Sequence, residues 1–323
     1  MRQVSVLVVS RTIELLNRLI SRLDDSYSGD NDSTEILISW NGKEEDLGRI
    51  SQGRFRTFVA QQEPYHFASN INQLCRQAQG EVIILANDDL IPDPGSIDAA
   101  VEKLREDPQV GIVGARLRSH QYQLAHAGIH FKADGSPFHR LENLVRWDDP
   151  ELLQDRYVPA VTGAFLAIRR LDLLHIVLDE GFSACGEDVA LCLTTQNQLN
   201  KSILYCHQMS GCHDAETTRK GIEGQGANDA DINRIRNLWE SWLELVNQET
   251  LKRVLRSQQE DSNFLHQLTP LREDQWQAIH DAELQAAASD YSCRLQLLED
   301  NNRRLRSQIQ QLLNQGSALT NRL

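Results

Sequence analysis

Three apolar runs, each ending in a polar turn, constrain the fold of this chain more than any other feature. Val4 to Val9 is β-branched and stops at Ser10-Arg11-Thr12, Glu35 to Trp40 stops at Asn41-Gly42, and Val82 to Ala86 runs into Asn87-Asp88-Asp89. Short continuous apolar runs bounded by turn residues read as strands buried on both faces. Between them, Ile13 to Leu23 and Ala68 to Gln77 carry helical periodicity, and a short apolar run lies near Phe55 to Val59. A β-α-β-α-β order predicts an α/β fold with a doubly wound, mostly parallel sheet flanked by helices. Ligands of such sheets collect at the carboxyl ends of the strands. The three polar turns are therefore expected along one edge.

Farther along, a helix is predicted over Ser96 to Glu106 and a strand over Val110 to Ala115. Hairpins follow through the irregular stretch containing His120, His126, His130 and His139. Val158 to Ile168, with Thr162-Gly163-Ala164 inside it, reads as a strand, and a helix is expected near Asp172. Gly186-Glu187-Asp188 opens the apolar helix Val189 to Leu193, and a last strand, Ser202 to Cys206, precedes Gly211-Cys212-His213-Asp214. Beyond about residue 230 the chain holds one proline, Pro270, and becomes rich in Leu, Gln, Glu and Arg. Residues 1–240 are thus expected to form the α/β domain and 241–323 a helical extension. Ala288, Leu295, Asn302 and Ile309 recur every seven residues, as do Tyr291, Leu298, Leu305 and Leu312. Offset as a and d, they predict a coiled coil over about 284–315 that pairs two copies in parallel, with Asn302 fixing register. A single amphipathic helix lying back on the domain is the alternative.

The net charge of −13 excludes a nucleic-acid partner, which needs clustered Lys and Arg. It also disfavours tight adsorption to anionic lipid. No apolar stretch reaches the roughly 18 to 20 residues that cross a bilayer, so membrane contact is at most peripheral. The N-terminus lacks the pattern of an export signal. The six cysteines are scattered, and Cys206, Cys212 and His213 lack a fourth zinc ligand at a familiar spacing. Free thiols in a reducing cytoplasm are expected.

Acidic side chains at the end of a strand can bind a hard divalent cation, which in turn holds a diphosphate. Asn87-Asp88-Asp89 alone is also an ordinary turn. The longer run FASNINQLCRQAQGEVIILANDDLIPDPGSIDAAVEKL resembles the bacterial family-2 glycosyltransferases of the GT-A fold, in which an apolar strand leads into a D-x-D-like motif. VTGAFLAIRR and FSACGEDVALCLT resemble the acceptor half of the same enzymes. The resemblance covers roughly residues 3 to 215.

It implies that Asp89 binds manganese or magnesium and that His213 completes the metal site. It also implies that Asp188, with Glu187 beside it, is the base that activates an acceptor hydroxyl. Ser10, Arg11, Thr12, Asn41, Asn72, Asn87 and Asp88 are the implied contacts to the nucleotide-sugar. The implied reaction is an inverting transfer to a polysaccharide, glycolipid or protein glycan. Two departures stand out. Asn87 replaces the first acid of the motif, and Asn41 stands where an Asp often reads the nucleobase. Trp40, ending a strand, reads as core. The competing reading is a scaffold whose degenerate GT-A domain is joined to a dimerising coil. A sugar nucleotidyltransferase would need a Gly-rich phosphate loop after the first strand, and Ser10-Arg11-Thr12 is not one.

Overall fold

The computed structural model describes residues 3–132, 134–213, 225–276, 303 and 307. The heptad positions from Ala288 to Leu312 lie outside the described residues. β1 (Val4–Ser10), α1 (Ile13–Ser26), β2 (Thr34–Trp40), β3 (Arg56–Gln61), α2 (Phe67–Gln77) and β4 (Val82–Ala86) follow the expected order. Then come β5 (Ile91–Pro92), α3 (Ser96–Glu106), β6 (Val110–Arg118), β7 (Leu124–His126), β8 (Ile129–Phe131), β9 (Pro137–His139) and β10 (Arg156–Tyr157). The chain continues with β11 (Phe165–Arg169), α4 (Arg170–Ile176), α5 (Glu187–Leu199), β12 (Ser202–Cys212), α6 (Gln225–Leu245) and α7 (Gln248–Trp276).

The main path of the sheet runs β10-β12-β6-β11-β4-β1-β2-β3, with β5 and β7 attached to β12 and β6. β4, β1, β2 and β3 are mutually parallel, but β11 enters antiparallel between β4 and β6, so the sheet is mixed. β1 and β2 are buried along their whole length, which is why Val, Ile and Leu fill both of their faces. On one face α1 lays down the stripe Ile13, Leu16, Leu19, Ile20 and Leu23, the one-sided spacing of a surface helix. On the other face α2, α5, α6 and α7 share a second core with the sheet.

Two strand limits differ from expectation. Val158 to Ala164 is irregular and only Phe165–Arg169 forms the strand. Its amides go elsewhere: Thr162 and Gly163 donate to side chains rather than to a ladder. β12 instead runs on to Cys212, past a register shift between Tyr205 and Ser210. Gly211 and Cys212 therefore pair with Pro92 and Ile91 inside the sheet.

The helices after residue 225 are built into this body. Trp239 stacks on Phe131 at 3.9 Å and on Trp242 at 4.5 Å. Asn247 starts α7 by accepting the Thr250 N–H at 2.8 Å, an N-cap bond. Leu251, Val254 and Leu265 are buried in the same core. Asp261 of α7 receives two 2.6 Å bonds from Arg140 and lies 2.9 Å from His130. His130 is thus a buried anchor for α7. Among the described residues no helix is long and apolar enough to cross a membrane.

Candidate active site

Parallel pairing of β1, β2 and β4 brings their terminal turns to one edge. Ser10 Oγ donates to Asp88 Oδ2 at 2.7 Å, and the Asn41 N–H donates to the Ser10 carbonyl at 2.7 Å. Ser10 also accepts the Thr12 N–H, and Thr12 is the extended residue from which α1 starts. The Arg11 guanidinium lies 5.9 Å above the Tyr65 ring at the rim of a cleft. Asn41 Nδ2 is bonded to the Glu63 carbonyl. Trp40 is buried and donates to the Lys43 carbonyl. Burial pushes the Asp88 carboxyl up to about 6 despite the Ser10 hydrogen bond.

Asp89 is 3% exposed, and its Oδ1 lies 3.1 Å from His213 Nε2. Asn87 Nδ2 is 3.3 Å from the same ring nitrogen. The extension of β12 delivers His213, whose N–H is tied to the Arg118 carbonyl. Carboxylate, imidazole and amide together suit a Mn2+- or Mg2+-like cation whose other positions are taken by phosphate and water. Among the described residues no three His, Cys, Asp or Glu side chains converge on one such point. Asp89 and His213 are therefore a pair, with Asn87 as the neutral third neighbour.

A cleft of about 610 Å3 leads from Asn87 and His213 to Glu187 and Asp188. Gly186, at φ 103°, turns the chain into α5 so that its first two residues are the two acids; only glycine adopts that backbone without strain. Asp188 Oδ2 accepts the Gly163 N–H at 2.7 Å and Oδ1 the Val189 N–H at 2.8 Å. A Cβ on Gly163 would come within 3.2 Å of the Asp188 Cβ. Among the described residues the cleft lining has no Lys or Arg.

Three supports escaped the sequence. Thr162-Gly163-Ala164 is a junction, giving N–H groups to His126 and Asp188 and a carbonyl to the Asn87 N–H. His126 and His139 face each other, nitrogen to nitrogen, at 2.8 Å. Asp231 of α6 accepts the N–H groups of Ser183, Ala184 and Cys185 at 3.1, 2.6 and 3.1 Å. Three consecutive amides converging on one carboxylate freeze the loop before Glu187 and Asp188. Asp231→Ala should lower turnover by about tenfold or more, because it strands these amides. Steady-state kinetics beside a thermal melt would check this, and unchanged turnover would refute the support.

The side chain of Asn72 is engaged within the fold. Its amide donates to the Leu178 carbonyl and to Glu180, and its oxygen accepts the Leu178 N–H at 2.8 Å. Those bonds join α2 to the segment after α4, and Asn72 is not among the residues that line the cleft.

Residues 8–153 match the family model described as Glycosyl transferase family 2. The O-antigen biosynthesis protein RfbC of Myxococcus xanthus is 30% identical over 141 residues, which is 42% of this chain and 11% of that protein. The chain thus spans only a small part of this curated relative's length. Among solved structures, GalNAc-T7 with UDP, GalNAc and Mn2+ superposes with a TM-score of 0.57 at 13% identity, over 74% of this chain and 49% of that one. The mannosyltransferase PcManGT from Pyrobaculum calidifontis, in complex with GDP-Man and Mn2+, gives 0.51 at 12% identity, over 97% and 88%. At these identities the likeness is one of fold.

Proposed function

We propose, from the premise that this chain carries a family-2 glycosyltransferase domain on the GT-A fold, that it moves a sugar from a nucleotide-sugar to a hydroxyl of a glycan, glycolipid or protein-linked acceptor, with inversion. The observation that carries the proposal is the cleft itself, with Asp188 fixed by two backbone N–H groups at one end and Asn87 and His213, beside Asp89, at the other. A sugar hydroxyl is a weak nucleophile at neutral pH, so a positioned carboxylate is needed to take its proton. In the proposed step the acceptor oxygen attacks the anomeric carbon, its proton passes to Asp188, and the bond to the diphosphate breaks on the opposite face. Ser10, Arg11, Asn41 and Asp88 flank the nucleotide at the sheet edge. Asp89 and His213 would hold a divalent cation, which supplies neutralising charge to the diphosphate as it leaves. The scattered thiols suit a reducing, cytoplasmic setting.

Asn87 in an acidic position favours a second reading, a domain that no longer turns over and serves as a scaffold. Calorimetry with UDP and GDP, with and without Mn2+, separates the two. Metal-dependent binding that falls at least about tenfold in Asp89→Asn is the expected outcome. Absence of any metal-dependent binding would favour the scaffold.

A further inference from the structure

We propose that Tyr122 and Trp147 form a platform on which an acceptor glycan packs sugar rings beyond the one that receives the transfer. This rests on the glycosyltransferase reading above. β6 leads into a turn in which the Ser119 N–H donates to the Gln123 carbonyl at 3.0 Å and the Tyr122 N–H to the Ser119 carbonyl at 3.1 Å. Tyr122 stands at φ 60° in that turn and is 55% exposed. The left-handed conformation favours glycine or asparagine, and a tyrosine costs stability in it. Backbone strain of this kind gathers at ligand-binding sites. The ring that the turn presents lies 6.5 Å from that of Trp147, tilted at 46°.

Trp147 is held in place. Its N–H donates to the Tyr122 carbonyl at 3.3 Å, and its carbonyl accepts Arg116 Nη1 at 3.2 Å. The Arg116 and Arg118 guanidinium groups lie over its ring, 4.6 and 4.4 Å from the centroid. Rigid aromatic side chains bind at small entropic cost. The charges beside them are paired or buried: Arg118 is bonded twice to Asp93, Arg146 twice to Asp148, and Arg116 is 8% exposed. An aromatic surface with paired charges fits the flat, uncharged face and hydroxyl rim of a pyranose better than a phosphate. Its place fits the acceptor. The nucleotide turns end β1, β2 and β4, whereas β6 lies across β11 from them, next to β12. The Arg118 carbonyl accepts the His213 N–H, and His120 Nδ1 is 3.3 Å from Cys212 Sγ. At ~3.8 Å per residue these contacts put Tyr122 within roughly 20 Å of His213, a span that a few sugar units cover.

Two measurements on the full chain test it. Tyr122→Asn removes the ring and places in the turn a residue that suits it, so the variant should fold with the wild-type Tm. With the best donor and gluco-, galacto- and mannohexaose as acceptors, Tyr122→Asn should raise the acceptor KM about tenfold, as expected for a lost aromatic contact. The KM for the matching methyl glycosides should change less than about twofold, and Tyr122→Phe, which keeps the ring, should restore the hexasaccharide KM. Equal changes for long and short acceptors, no change, or no recovery in Tyr122→Phe overturns the platform alone. Saturation-transfer spectra of the hexasaccharides, recorded without donor, should show contact with the wild-type chain that weakens in Tyr122→Asn. No contact, or equal contact in both, overturns the platform whatever the activity. A wild-type chain that transfers sugar to none of these acceptors overturns instead the function on which the acceptor role rests.

Discussion

Asp188→Asn should lower sugar transfer by about 100- to 10,000-fold, the span that a positioned general base contributes, while Mn2+-nucleotide binding stays within about threefold of wild type. Asparagine preserves the size of the side chain, and its oxygen can still accept the Gly163 or the Val189 N–H. What it loses is the charge and basicity that take the acceptor proton. Aspartate at the first turn of a helix also complements the helix dipole, and a residue with only that role would cost stability and little turnover. Single-turnover transfer measured beside nucleotide calorimetry distinguishes the two. Near-normal transfer by Asp188→Asn would remove the base assignment.

The second large effect concerns folding. Asp261→Ala leaves the fully buried Arg140 guanidinium without its anion, and removing one member of a buried pair costs about 3–5 kcal/mol. For a body of this size that corresponds to a fall in Tm of roughly 10 °C. Burial alone would raise the Asp261 carboxyl, but the Arg140 charge and the bonds from His130 and Arg140 outweigh it and hold the group well below the usual carboxylate range. A folded-state pKa depressed in this way contributes stability above the unfolded value of about 4, and the contribution is lost as pH falls below it. The gap in Tm between wild type and Asp261→Ala should therefore be full at neutral pH and narrow below about pH 4. A pH-independent gap would mean that packing, not charge, holds α7 in place. Because Arg140 follows His139 directly, loosening this pair should also reach the cleft.

Local periodicity was enough to find β1, α1, β2, α2 and β4, because continuous apolar runs and one-sided helical stripes need no distant partner to be recognised. The turn acids were legible for the same reason, since a strand end in a parallel sheet has a fixed destination. The supports were not legible. Asp231 lies in a polar helical stretch, and its partners are 46 to 48 residues away. Asn72 is spaced like a helix residue facing the site, yet its amide meets Leu178, 106 residues on. Val158 and Val161 made the segment before β11 look like strand, although its Thr162 and Gly163 amides serve His126 and Asp188. At β12 the register shift after Tyr205 hides the strand's continuation to Cys212, and with it the path by which His213 reaches Asp89.

The most direct test is a donor screen: the full chain incubated with UDP- and GDP-linked sugars and a mixture of methyl glycosides, with Mn2+ or with a chelator, and products resolved by mass spectrometry. The expected result is glycoside enlarged by one sugar residue from at least one donor, dependent on the metal and absent in Asp188→Asn. Folded protein that yields no enlarged glycoside from any donor, or the same yield from Asp188→Asn, would contradict it.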